Sequence, residues 1–142
     1  MTVGRSGPAI AALGAIGLAI AVYLTATKLS GGLPVCGPVH GCEEVALSEY
    51  SSILGIPTAA FGAVFSAIIA VLGVIWWRRG DRSALLVAYG LGLFGVLFVA
   101  YLTYLELFVI HAVCAWCAAY AVTVVLGWLI AGAALRTHRA AG

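Results

Sequence analysis

Polar positions along the 142 residues are bunched, and four long stretches between the bunches carry no charge: Gly7 to Thr27, Gly55 to Trp77, Ser83 to Leu105 and Ala112 to Leu135. They are 21, 23, 23 and 24 residues long. At about 1.5 Å of rise per residue, each is long enough to cross a hydrocarbon layer of about 30 Å. None carries the polar face that a helix lying against water requires. Backbone amides facing lipid must be paired within their own segment, so all four are expected as α-helices. The expected fold class is therefore all-α: an integral membrane four-helix bundle forming a single domain over 1–142, with spans at about 8–28, 56–77, 84–105 and 112–135.

The outer loop 29–55 is the one polar segment long enough to hold structure of its own. Ser30-Gly31-Gly32-Leu33-Pro34 opens it as a breaker cluster, and Cys36-Gly37-Pro38 and His40-Gly41-Cys42 bend it again. From Glu43 to Leu54 the pattern changes. Val45, Ala46, Tyr50, Ile53 and Leu54 recur at roughly helical spacing, with acids at the start. That predicts a short amphipathic helix at the membrane interface, ended by Gly55. The second outer loop, Glu106 to His111, is too short for a domain and keeps the head of the fourth span near the surface.

Composition and charge sharpen the picture. The chain is 64% hydrophobic and only 8% charged, with a mean hydropathy of +1.15, which excludes a water-soluble globule. The first stretch is longer than the apolar region of a signal peptide, so it reads as an uncleaved span. Six of the seven basic residues (Arg5, Arg78, Arg79, Arg82, Arg136 and Arg139) fall on one side, with Lys28 opposite. The positive-inside rule makes that side cytoplasmic, with both termini there and the first and third connections outside. Topology accounts for the basic residues, so the net charge of +2 gives no case for nucleic acid.

Chemistry is carried by four cysteines. Cys36 and Cys42 share the outer loop, and Cys114-Ala115-Trp116-Cys117 stands at the head of the last span. A C-x-x-C with a second pair on the same membrane face is a redox or metal signature. Cys114 and Cys117 lie one helical turn apart near a helix N-terminus, where the dipole favours the reactive thiolate. A flexible loop pair can swing between an outside partner and the helix pair, and disulfides persist on the outer face. Structural staples are a rival, although a bundle held in lipid gains little from them. A Cys₄ zinc site is another, and five residues between Cys36 and Cys42 is loose spacing for it. Buried apolar fillers are a third, disfavoured by two paired motifs on one face.

Cys36 and Cys42, the run Glu43 to Ser48, Tyr50-Ser51-Ser52-Ile53-Leu54-Gly55-Ile56-Pro57 with Phe61-Gly62, and Tyr104 to Ile110 before the C-A-W-C together resemble the vitamin K epoxide reductase family, in its bacterial form. The resemblance runs from span one to span four. A spaced loop pair first and C-x-x-C at the last span is the family's order; the four-span disulfide bond protein B family has its C-x-x-C in the first outer loop. The resemblance implies an enzyme, a thiol–disulfide oxidoreductase of the cell (inner or cytoplasmic) membrane. It would oxidise a thioredoxin-like (disulfide bond protein A-like) extracytoplasmic partner and pass electrons to a quinone of menaquinone, ubiquinone or vitamin K type, with no metal.

Carried over residue by residue, Cys36 exchanges with the partner and Cys42 shuttles to Cys114. Cys117 stands beside the quinone, and Ser48 matches a family serine close to the active site. The quinone-side tyrosine of the animal enzymes lies four residues past the C-x-x-C; Tyr120 lies three past. Only Ala-Ala-Gly follows Arg139, so the partner is expected as a separate protein rather than a fused domain. Thr58, at the start of span two, is a further candidate for a quinone carbonyl.

Other residues have plainer readings. His111 either favours the Cys114 thiolate or caps the head of span four. His40 reads as a solvated loop residue and Glu106 as an interfacial carboxylate. Trp76, Trp77 and Trp116 read as an aromatic belt. Gly14, Gly17, Gly90, Gly92 and Gly95 read as close helix contacts. A different function class stays open beside the enzyme: a small membrane scaffold or assembly factor with structural disulfides.

Overall fold

The computed structural model describes residues 3–31, 52–53, 55–111 and 115–141. Four helices long and apolar enough to cross a membrane make up most of it. Helix α1 is Val3–Leu29, α2 is Thr58–Arg79, α3 is Arg82–Tyr104 and α4 is Ala115–Ala141. Each helix packs on its neighbour in sequence, and α1 closes the ring against α4. The result is an up-and-down bundle with α2 and α4 on one diagonal. Arg5, Arg78, Arg79, Arg82 and Arg136 mark one end of it, here the arginine end. Lys28, Thr58, His111 and Cys117 mark the other, the cysteine end.

In lipid no hydrophobic force pulls apolar helices together, so close packing has to do it. Glycines supply the proximity. A Cβ on Gly14 would stand 2.7 Å from the backbone nitrogen of Ala70, and one on Gly73 would stand 2.6 Å from that of Ala11. The α1–α2 backbones therefore nearly touch, as the glycines of span one predict. Gly92 and Gly95 behave alike against Trp128 and Phe65, whereas Gly90 faces outward with nothing within 4 Å. Val64, Phe94, Leu97 and Phe108 are all more than 60% exposed, an outward apolar surface suited to lipid. The buried cluster of Ile10, Trp76, Leu85, Ala131 and Ala134 lies toward the arginine end.

That end is closed tightly. Gly80, in the left-handed region at φ 62°, returns its N–H to the carbonyl of Trp76, and Asp81 accepts from the Ser83 N–H at 2.9 Å to cap α3. Two residues thus reverse the chain. Trp76 is not part of an interfacial belt: it is 2% exposed, and its Nε1 donates to Ser6 Oγ at 2.9 Å. Buried indoles need such an acceptor. Trp77, beside it, is about half exposed.

The cysteine end differs from expectation at two places. Span three does not stop at 105; it runs on through a π-helical turn, Leu105–Ile110, and the second outer connection shrinks accordingly. Leu105-Glu106-Leu107-Phe108-Val109-Ile110 holds no breaker, and Glu106 suggested a loop only through its charge. Glu106 is in fact buried, at 7% exposure, rather than an exposed interfacial carboxylate. The expected interfacial helix over 43–54 falls outside the described residues except at its end. There Ser52–Ile53 (β1) pairs antiparallel with Ile56–Pro57 (β2), and Gly55 turns between them at φ 82°. Extended pairing ahead of Pro57 fits the restriction that proline places on the residue before it.

Candidate active site

Of the residues singled out for chemistry, Cys117, Thr58 and Tyr120 are described, and Cys36, Cys42, Ser48 and Cys114 lie outside the described residues. Cys117 is the third described residue of α4 and is half-buried. The ring of Trp116, inside the C-x-x-C, lies 5.0 Å from that of Tyr23 on α1 at an angle of 45°. Such a tilted aromatic pair adds about 0.5–1.5 kcal/mol beyond burial. It also sets the rotation of the first turn of α4, and with it the direction of Cys117.

One turn further along α4, Tyr120 reaches across the diagonal of the bundle to α2. Its hydroxyl donates to the Gly62 carbonyl at 2.9 Å and accepts from Ser66 Oγ at 3.0 Å. Gly62 leaves the room for it, because a Cβ there would stand 3.1 Å from the phenol oxygen. Gly17 on α1 does the same from the side, 2.9 Å from Ser66 Oγ and 3.4 Å from the ring. α2 and α4 do not pack closely along their length, so this phenol is a cross-brace.

The brace fixes the relative depth of the candidate residues. The Tyr120 hydroxyl is level with the Gly62 carbonyl. Thr58 lies four residues above Gly62, and Cys117 three above Tyr120, rises of about 6 and 4.5 Å. Thr58, half-buried at the start of α2, and Cys117 therefore both lie on the cysteine side of the brace, on opposite helices. An apolar molecule entering from the membrane between them would meet a sulfur on one side and a hydroxyl on the other. The Tyr120 hydroxyl proton, already given to Gly62, is not free to point there, so what Tyr120 offers such a molecule is its ring.

His111 ends the π turn with φ 59° and ψ 34°, giving its N–H to the Glu106 carbonyl, and is exposed. It therefore closes span three. A left-handed non-glycine residue is uncommon, and histidine is among the types that tolerate it. It turns the chain from α3 toward the C-x-x-C. Sequence reasoning passed over Ser66 and Tyr23, and quoted Gly62 only within the family resemblance. Ser66 had a signal: it is the one hydroxyl side chain between Thr58 and Arg79, and a lone hydroxyl in an apolar span needs a partner. Tyr23 gave none, since an aromatic in such a span is ordinary.

The family model described as the vitamin K epoxide reductase family matches residues 8–131, a stretch that includes Thr58, Cys117 and Tyr120 and reaches into all four helices. No curated protein matches the chain.

Proposed function

The chain belongs to the vitamin K epoxide reductase family, whose members are quinone-linked membrane thiol oxidoreductases, and from that premise we propose that it oxidises a separate thioredoxin-like extracytoplasmic protein and delivers the electrons to a membrane quinone. The partner's thiolate attacks Cys36 of a Cys36–Cys42 disulfide, and the partner's second thiol closes its own disulfide, leaving both loop cysteines reduced. Cys42 then attacks Cys114 of the Cys114–Cys117 disulfide and frees Cys117; Cys36 resolves the Cys42–Cys114 bridge. From Cys117 the electron pair passes to the quinone, and the Cys114–Cys117 disulfide reforms. Two electrons and two protons leave the partner dithiol, and quinol carries them away, so the balance closes without a metal.

The observation that carries this reading is Cys117 at the head of the last span, at the same end of the bundle as Thr58 and opposite the arginines. With the arginine end cytoplasmic, both termini are inside and both cysteine pairs face the outside of the cell membrane. Thr58 donates to a quinone carbonyl, Ser48 matches the family serine close to the active site and Tyr120 lends its ring. The test is the thiol state in membranes, read by mass-tagged alkylation before and after quinone depletion. Both pairs should accumulate as thiols when quinone is removed. Four cysteines that stay oxidised throughout would mark structural bridges and overturn the relay.

A further inference from the structure

Two carboxylates stand among the described residues. Asp81 is exposed and caps α3, whereas Glu106 is 7% exposed, in the π turn that ends span three. The relay proposed above uses neither. An ionisable side chain buried in a membrane span is costly to keep, and such groups mark proton and ion routes. π turns likewise collect at functional sites.

Two inward seams fix where Glu106 lies. On α3 the buried positions Ala88, Gly92, Gly95 and Val99 alternate by four and three residues, and the same alternation leads through half-buried Leu102 to Glu106. On α4 the buried positions Ala134, Ala131, Gly127 and Val124 alternate likewise and lead through Tyr120 to Cys117. Such a heptad seam is the face that a helix turns to its neighbours. Leu107, Phe108 and Val109, beside Glu106, are each more than 40% exposed and look the other way.

The two seams also meet. A Cβ on Gly92 would stand 3.3 Å from Trp128 Cβ, and one on Gly95 would stand 3.1 Å from Val124 Cγ1. From the Gly92–Trp128 contact, Glu106 lies fourteen residues toward the cysteine end and Cys117 eleven. Those are rises of about 21 and 16 Å. Glu106 and Cys117 therefore stand within one helical turn of each other in depth. They do so on the facing seams of adjacent helices, whose axes in such packing are about 8–10 Å apart. Water reaches the same turn at exposed His111, whose N–H is bonded to the Glu106 carbonyl.

We propose that Glu106 is the proton donor and acceptor of Cys117, an assignment that rests on the relay described above. When a thiolate attacks Cys114, the S–S bond breaks and the Cys117 sulfur leaves with the electron pair. A bare charge on that half-buried sulfur, between apolar helices, is opposed by its surroundings. Glu106 as carboxylic acid gives the sulfur a proton and becomes a carboxylate. It is recharged from water by the proton that the attacking thiol has shed. When the pair is oxidised again, the Cys117 proton returns to the carboxylate. The two protons that the dithiol loses equal the two that turn a membrane quinone into quinol, so the cycle balances.

The test follows bridge opening in the full chain, held in lipid nanodiscs without quinone. Cys36→Ser and Cys42→Ser form the parent background, so that a small dithiol reductant meets the helix pair directly. After oxidation, free Cys117 is counted by acid quench and mass-tagged alkylation. Glu106→Gln, which keeps the shape and loses the proton, should open about 100-fold more slowly. Glu106→Asp, which shortens the arm and keeps the proton, should stay within about tenfold of the parent. Heavy water should slow the parent more than the glutamine variant. A purely structural side chain predicts the reverse order, with glutamine mild and aspartate harsh, and that order overturns the assignment. So does a glutamine variant within about threefold of a parent that opens normally. A parent whose Cys117 is a free thiol before any reductant is added has no bridge to open, and that result overturns the relay itself along with the assignment.

Discussion

The two ends of the bundle are built from the same apolar helices and solve opposite problems. At the arginine end a two-residue turn, a capped helix start and a buried Trp76–Ser6 hydrogen bond lock the chain over a cluster of fully buried side chains. At the cysteine end the helix winding loosens to a π turn, His111 takes a left-handed backbone, and a carboxylate is buried. π turns and unusual backbone conformations concentrate at functional sites because packing elsewhere holds them in place. The closed end stabilises; the other end carries the half-buried Cys117 at the head of α4. Between them, Tyr120 braces the diagonal and carries the alignment of one end to the other.

The largest effect that would sharpen this contrast is at Cys117. Cys117→Ser should reduce quinone-dependent turnover to background while leaving the bundle folded, since serine is nearly isosteric at a half-buried position. Partner thiol exchange at Cys36 should persist. Quinone turnover within about twofold of wild type (a change worth less than half a kcal/mol) would break the assigned electron order.

Next in size is the glycine contact toward the closed end. Gly14→Ala places a methyl 2.7–2.9 Å from Ala70 atoms, and overpacking of this kind costs about 1–3 kcal/mol. Gly90→Ala, on the lipid face with nothing within 4 Å, should stay within about 0.5 kcal/mol of wild type. Reversible unfolding in mixed micelles measures both. Equal costs at the two glycines would mean that helix propensity rather than contact sets the result.

Smaller is the buried hydrogen bond. Ser6→Ala removes the acceptor of Trp76 Nε1 and should cost about 1 kcal/mol, between the membrane average near 0.6 and the penalty for a stranded donor. A double-mutant cycle with Trp76→Phe isolates the pair, and a coupling indistinguishable from zero would remove the lock from the account.

Smallest in activity is the brace. Tyr120→Phe should destabilise by about 1 kcal/mol through lost hydrogen bonds. Because the phenol proton belongs to Gly62, the quinone KM should move by less than about threefold, under 1 kcal/mol. A tenfold or larger rise in KM would show that the hydroxyl leaves Gly62 to meet the quinone.

How much of this was legible beforehand depends on the physics of each feature. Uncharged length requires helices in lipid whatever their neighbours, so four spans and an all-α bundle come from sequence alone. The two cysteine pairs and their order are likewise written in the chain, and the family match over 8–131 agrees with the resemblance they carry. The glycines of α1 announced a close contact because only a missing side chain lets backbones meet. Tertiary structure decided which polar groups pair across helices. Glu106 read as interfacial because a charge in isolation belongs at water, and only the surrounding helices bury it. Trp76 read as a belt residue because position along a span says nothing of which face it occupies. The Tyr120–Gly62–Ser66 brace joins residues 54 and 58 positions apart. A hydrogen bond of that kind has no local signature, since it depends on the depth and rotation of two helices that only packing sets.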